Sequence, residues 1–154
     1  MMNFSSLSVL DLSQNYLSPH SIYSWMFNLS GSIGYVDLSD NSLQGPIPDA
    51  FRNIPSLSYL DMSHNQIEGG IPRSLGNLSL LKTLSLAGNE LYGELPEVMK
   101  NLFQQLKHLD ISRNRLNGSI PEDIGNLFNL NFLDLSYNQL IGTLRKSIRC
   151  LSKL

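Results

Sequence analysis

Along most of this chain a brief alternation of apolar and polar residues recurs at a nearly constant interval. LDIS at Leu109–Ser112 is the clearest instance. Leu109 and Ile111 share one side while Asp110 and Ser112 take the other, the period-two signature of a short strand with one buried face. The pattern returns at Leu10–Ser13, Val36–Ser39, Leu60–Ser63, Leu84–Ala87 and Leu133–Ser136. An asparagine follows each time, and Asn15, Asn41, Asn65, Asn89, Asn114 and Asn138 are spaced by 26, 24, 24, 25 and 24 residues. A strand this short cannot bury its apolar face alone. The pattern therefore predicts coils stacked one on the next, with parallel strands and a continuous core between them.

The rest of each unit fits a coil. A side-chain amide carries two donors and an acceptor, so an asparagine after every strand can satisfy the backbone groups that the turn leaves unpaired. This predicts a structural ladder of the six asparagines. Gly45, Gly69, Gly93, Gly118 and Gly142 come four residues later, where the chain must turn. Pro48, Pro72, Pro96 and Pro121 follow and delay any helix, so the return leg has room for a short helical turn, as in SLGNL. L-x-L…N-x-L within a period of about 20–29 residues is the sequence form of a leucine-rich-repeat solenoid. The expected fold is α/β-type: a right-handed curved arc of about six 24-residue repeats, with a concave parallel β-sheet and irregular or 3-10 convex segments.

Four units carry G-x-[IL]-P complete, at Gly45–Pro48, Gly69–Pro72, Gly93–Pro96 and Gly118–Pro121. With LDLSQN, VDLSDN, LDMSHN, LDISRN and LDLSYN before them, the chain resembles plant extracellular leucine-rich-repeat proteins, the ectodomains of receptor-like proteins and receptor-like kinases, from about Leu7 to Leu154. The resemblance implies a non-catalytic protein or peptide recognition module in plant signalling or defence. It implies a protein or peptide ligand and a co-receptor as partners, at the extracellular face of the plasma membrane or in the cell wall. The alternative is a secreted inhibitor or structural interaction protein similar to polygalacturonase-inhibiting proteins. Residues 1–6 are expected to form a disordered lead. Residues 7–154 are expected to form the repeat domain, with six repeats, the start of a seventh and no visible caps, as in a fragment of a longer protein. The ends depart most from the pattern: Pro19 stands where other units have glycine and Trp25 fills out the first return leg. Arg145 replaces a proline and Cys150 an asparagine in the last unit, and an extra residue near Phe103–Gln105 predicts a bulge on the back.

Composition narrows the function further. The chain has 154 residues, 42% of them hydrophobic and 16% charged, enough for one cored domain. A net charge of −2 without runs of like charge gives no stripe for nucleic acid and no polybasic membrane patch. Cys150 is the lone cysteine, so no intrachain disulfide forms. No apolar run approaches the roughly 18 residues that span a bilayer, and the first residues lack the basic and apolar regions of a secretion signal. Membrane attachment is therefore expected only through a segment missing from this chain. N-x-[ST] sequons at Asn3, Asn28, Asn77 and Asn117 nevertheless read as a chain for the secretory pathway, with Asn28, Asn77 and Asn117 as candidate glycosylation sites.

Candidate chemistry is sparse. His20, His64 and His108 fall in different units, the latter two on strand segments, and no metal cluster, phosphate loop or nucleophile elbow is legible. No catalysis and no cofactor is expected. The stacked strands carry the functional signal instead. One outward column reads Val9, Tyr35, Tyr59, Thr83, His108, Phe132, and a second, just before the asparagines, reads Gln14, Asp40, His64, Gly88, Arg113, Tyr137. Aromatic and charged residues on a rigid concave face are the anchors that protein interfaces use. Tyr35, Tyr59, His108 and Phe132 in the first column, with Asp40, His64, Arg113 and Tyr137 in the second, are the candidate ligand-binding residues. The Asp and Ser columns between them are expected to keep the strands solvated.

Overall fold

A computed structural model describes residues 6–18, 22–23, 32–100 and 105–143. His20, Trp25, Asn28, Cys150, the lead at 1–5 and the extra residue of the fourth unit lie outside the described residues. The strands in chain order are β1 (Val9–Asp11), β2 (Tyr35–Asp37), β3 (Gln44–Gly45), β4 (Tyr59–Asp61), β5 (Gln66–Gly69), β6 (Thr83–Ser85), β7 (Glu90–Glu94), β8 (His108–Asp110), β9 (Arg115–Ser119), β10 (Phe132–Asp134) and β11 (Gln139–Ile141). Strands β1, β2, β4, β6, β8 and β10, in that order, form one wholly parallel sheet.

The 24-residue period sets the register of that sheet. Leu10 pairs with Val36, then Leu60, Leu84, Leu109 and Leu133. The inner members of this row, Val36, Leu60, Leu84 and Leu109, are fully buried. Leu38, Met62, Leu86 and Ile111 form a second buried row, and Leu43, Ile67, Leu91 and Leu116 a third behind the asparagines. Burying one such side chain is worth about 1.5–3 kcal/mol. Because each rests on its counterpart one coil away, that gain exists only in the stack.

Behind the sheet, 3-10 helices span Asp49–Asn53, Arg73–Asn77 and Glu122–Asn126. Pro48, Pro72 and Pro121 precede them in extended backbone, so each starts where the proline releases the chain. Phe51, Leu75 and Ile124 on these helices close the core from the back. The fourth coil differs, making instead one turn of α-helix, α1 (Leu95–Met99), with Pro96 at its start.

A second parallel sheet, ordered β11-β9-β7-β5-β3, runs along one flank. It occupies the stretch between asparagine and proline that the sequence marks as a glycine turn. The glycines end or interrupt these strands at positive φ. At Gly118, with φ of +83°, a Cβ would also meet Pro96 Cδ at 3.1 Å, so the residue type is fixed twice over.

The asparagines form a ladder with a direction. Asn89 Nδ2 donates to Leu86 O (3.1 Å) and Ala87 O (3.4 Å) in its own coil and to Met62 O (2.9 Å) in the preceding one. Its Oδ1 accepts from Ile67 N of the preceding coil at 3.0 Å. Asn41, Asn65, Asn114 and Asn138 likewise each reach one coil back. Asn15, in the first coil, bonds Leu12 O and Ser13 O of its own turn. Burial follows the same gradient: Asn65, Asn89 and Asn114 are buried while Asn15 is exposed.

Candidate binding face

Outward positions of the six-stranded sheet align in columns set by the strand register. An aspartate occupies the middle column in five coils, and each bonds the serine two residues on. In the second coil Asp37 Oδ1 accepts from Ser39 N at 3.0 Å and Ser39 Oγ at 2.6 Å. The same bonds to the serine N recur at Asp11, Asp61, Asp110 and Asp134. The polar stripe between the two variable columns is therefore a row of intramolecular clasps, each folding the chain out of its strand. The serine donors hold the Asp11 and Asp134 carboxyls below the usual aspartate range. A depressed folded pKa gives stability that is present above the unfolded value, about 3.9, and lost as pH falls through the folded one. Ser136→Ala should raise Asp134 toward its ordinary value in a carboxyl NMR titration. Ser13→Ala should raise Asp11 less, because the Ser13 backbone N–H that contributes most there is kept. Unmoved titrations would mean that the clasps do not hold these carboxylates.

The turn that follows puts the second variable column in an unusual backbone state. Gln14, Asp40, His64, Arg113 and Tyr137 all have φ between 51° and 55°, and Gly88 has φ of 64°. His64 thus lies beyond β4, on the turn and not on a strand as its alternation implies; only His108 is a strand residue. The left-handed backbone is held from outside at Gln14, Asp40, His64, Gly88 and Arg113, whose N–H groups each donate to the next coil, as His64 N does to Ala87 O at 2.7 Å. The strain is roughly 1–2 kcal/mol for a residue with a Cβ, and the hydrogen bonds between coils offset it. Gly88→Ala should lower the unfolding free energy by about 1 kcal/mol in urea titration, because the new Cβ also comes within 2.8 Å of His64 Nδ1. His64 is exposed and free to swing aside, so a loss of several kcal/mol would contradict this account.

The candidate residues come together in pairs. Tyr35 and Tyr59 stack at a centroid distance of 4.1 Å with planes 8° apart. His108 and Phe132 stack at 4.1 Å and 2°. In the second column Arg113 lies over the Tyr137 ring, 4.5 Å from its centroid, while Asp40 and His64 are exposed on successive coils. Phe132 is 40% and Tyr137 73% exposed, so these rings present faces to solvent as well as to each other. Burial raises the phenol pKa of Tyr35 and Tyr59, and at Tyr59 the Asp61 charge adds to it. Both stay protonated and able to donate. The two stacks do not meet. Thr83 stands between them, and its coil also replaces the aspartate, serine and turn residue of the others by Ser85, Ala87 and Gly88. That gap was visible as a departure from the columns, yet it gains meaning only with the rings stacked on either side.

Two of the sequons fall away from this face. Asn77 ends the second 3-10 helix and Asn117 lies on β9 of the flanking sheet, both exposed. Among the described residues no cluster of three or more His, Cys, Asp or Glu side chains is placed to hold a metal ion, and no helix is long and apolar enough to cross a membrane.

Family models described as leucine rich repeat match residues 32–91, 105–127 and 129–151. Receptor-like protein EIX2 of Solanum lycopersicum is 49% identical over 49 residues, covering 32% of this chain and 5% of the relative. The ectodomain of the Arabidopsis thaliana receptor kinase GASSHO1/SCHENGEN3, solved in complex with Casparian strip integrity factor 2, superposes with a TM-score of 0.86 at 36% identity. That match covers 97% of this chain and 18% of the receptor. The Arabidopsis receptor kinase HAESA, solved with the peptide hormone IDA and the co-receptor SERK1, gives 0.83 at 33% identity over 97% and 25%. The chain thus spans a small part of each of these three proteins. With leucine-rich-repeat models matching most of its length and receptor ectodomains superposing on nearly all of it, the chain belongs to the leucine-rich-repeat family, in the form found in plant receptor ectodomains.

Proposed function

We propose that the six-stranded face is a non-catalytic recognition surface for a peptide or protein ligand, as part of a plant receptor-like protein in signalling or defence. The observation that carries this reading is the pair of aromatic stacks, Tyr35–Tyr59 and His108–Phe132, held in register and partly exposed on a rigid sheet. Such preorganised rings lose little conformational entropy on binding, which is what interface anchors need. The complex of HAESA with the peptide hormone IDA and that of GASSHO1/SCHENGEN3 with Casparian strip integrity factor 2 support the ligand class, and the SERK1 in the HAESA complex supports a co-receptor. Arg113 and Tyr137, with Asp40 and His64, supply charge and a further ring on the turn column, where a ligand lying across the coils would meet them.

The reading places the chain outside the cell, at the plasma membrane or in the wall. Asn77 and Asn117 then carry glycans on the back and flank, where they leave the aromatic columns clear. Secretion from a plant cell should give a product whose mass falls by one glycan in Asn77→Gln and again in Asn117→Gln, while an unglycosylated secreted product would count against the assignment. The binding test is selection of a random peptide library on the immobilised chain. Selected peptides should lose retention on Tyr59→Ala and keep it on Arg73→Ala; equal retention by all variants would remove the face from the reading.

A further inference from the structure

Coil four breaks the face at every outward position, and the break has a shape. Thr83 takes the place of a ring between Tyr59 and His108. Neighbouring parallel strands are about 4.8 Å apart, so the facing rings of Tyr59 and His108 stand roughly 9–10 Å apart across that strand. A planar group inserted midway lies about 5 Å from each, within the roughly 6 Å at which a cation interacts with an aromatic face. It would join Tyr35–Tyr59 and His108–Phe132 into one continuous stack.

The floor of this notch carries unused polarity. Ser85 is 8% exposed, and it sits where the other coils have the clasping aspartate. The serine it would clasp is Ala87, so its hydroxyl lacks the bond made in every other coil. Among the described residues no hydrogen bond to Ser85 Oγ is present, although the residue is more than nine-tenths buried and lies on the outward side of β6, between Leu84 and Leu86 of the core. Beside it on either strand stand Asp61 and Asp110, each with Oδ1 taken by its own serine. Asp61 Oδ2 receives the Tyr59 hydroxyl at a long 3.4 Å. The charges nearby are thus two carboxylates on the walls, with Lys82 and Lys107 at the strand entrances and Arg113, already over Tyr137, beyond the turn.

We infer that this notch is a subsite for a guanidinium group, the side chain of an arginine in a peptide lying across the sheet. Resting on the recognition reading above, it specifies what that face selects. A guanidinium is flat enough to enter between two rings, and its five donors match the acceptors present, Ser85 Oγ and the outer oxygens of Asp61 and Asp110. An ammonium supplies charge without the plane, and a phenyl ring supplies the plane without donors.

The test uses acetyl-arginine amide as probe, titrated into the chain and followed by NMR shifts of the Tyr59, Thr83, Ser85 and His108 resonances. These four should move together, with acetyl-lysine amide and acetyl-phenylalanine amide at least tenfold weaker. Thr83→Phe fills the gap and should abolish the shifts at the remaining positions while the chain stays folded. Ser85→Ala leaves the notch open and should weaken the arginine probe at least threefold. Equal affinity for the arginine and lysine probes, or full binding by Thr83→Phe, overturns the assignment. Because the probe carries no peptide sequence, such a result rejects the notch alone. Failure of the wider reading would appear separately, as library peptides indifferent to Tyr59→Ala and Phe132→Ala.

Discussion

Asn89→Ala is expected to lower the unfolding free energy by about 1–3 kcal/mol, with Asn138→Ala below it and Asn15→Ala near zero. The carbonyls alone would not give this order. Met62 O is also bonded by Asn65, and Leu86 O by Asn114, so both keep a partner when the Asn89 amide is removed. Ile67 N does not. It donates to Asn89 Oδ1, it lies in a fully buried residue, and an orphaned buried donor costs about 1–3 kcal/mol. Asn138 serves Leu116 N in the same way but is itself part-exposed, which lets water replace some of the loss. Asn15 bonds carbonyls of its own turn, and Leu12 O keeps a partner in Asn41 when that amide is removed. Urea titration of the three variants checks the order. Three equal effects would show that the backward-reaching bond is not what stabilises the coils.

Tyr59→Ala and Phe132→Ala are each expected to weaken ligand binding by about 2 kcal/mol, some thirtyfold, without unfolding the chain. Each removes one ring of a stack, so the surviving ring loses both its neighbour and its orientation. Arg73 and Glu122, on the 3-10 helices behind the sheet, are expected to tolerate alanine with no change in binding. Arg73 makes a surface ion pair with Glu97 at 3.3 Å, worth under about 1 kcal/mol, so its loss also leaves the fold intact. The measurement is calorimetric titration of a library-selected peptide, with circular dichroism of every variant. Binding lost in the back variants and kept in the sheet variants would move the recognition surface to the other side of the coil.

Much of this geometry could be read from the chain before any coordinates. Six alternations in a 24-residue period impose one register, and that register puts Tyr35 beside Tyr59 and His108 beside Phe132. The left-handed column was hidden for a chemical reason. Gln14, Asp40, His64, Arg113 and Tyr137 are not residues that favour positive φ as a group, and in the first four an N–H bond to the neighbouring coil holds the turn. Gly88 alone was a hint. The aspartate–serine spacing was plain, but a row of small polar residues on a sheet face looks like solvation until the Oδ1 contacts at 2.6–2.7 Å are seen. The flanking sheet was hidden because glycine, a residue that argues against a strand interior, ends β3 and β5 and lies inside β7 and β9. One residue of the second unit shows the effect: Gly45 is a turn residue by its φ of 77° and yet lies within β3.

The direction of the asparagine ladder bears on how such a chain is made. A ribosome delivers coils in order, and the amide that completes the turn of one coil belongs to the next. When Leu43 has emerged, its buried N–H has no partner until Asn65 follows, and Ile67 then waits for Asn89. Each coil is finished one unit late, so the growing end always carries a single incomplete turn while everything behind it is sealed. Synthesis and assembly therefore run in the same direction, at a lag of about one repeat.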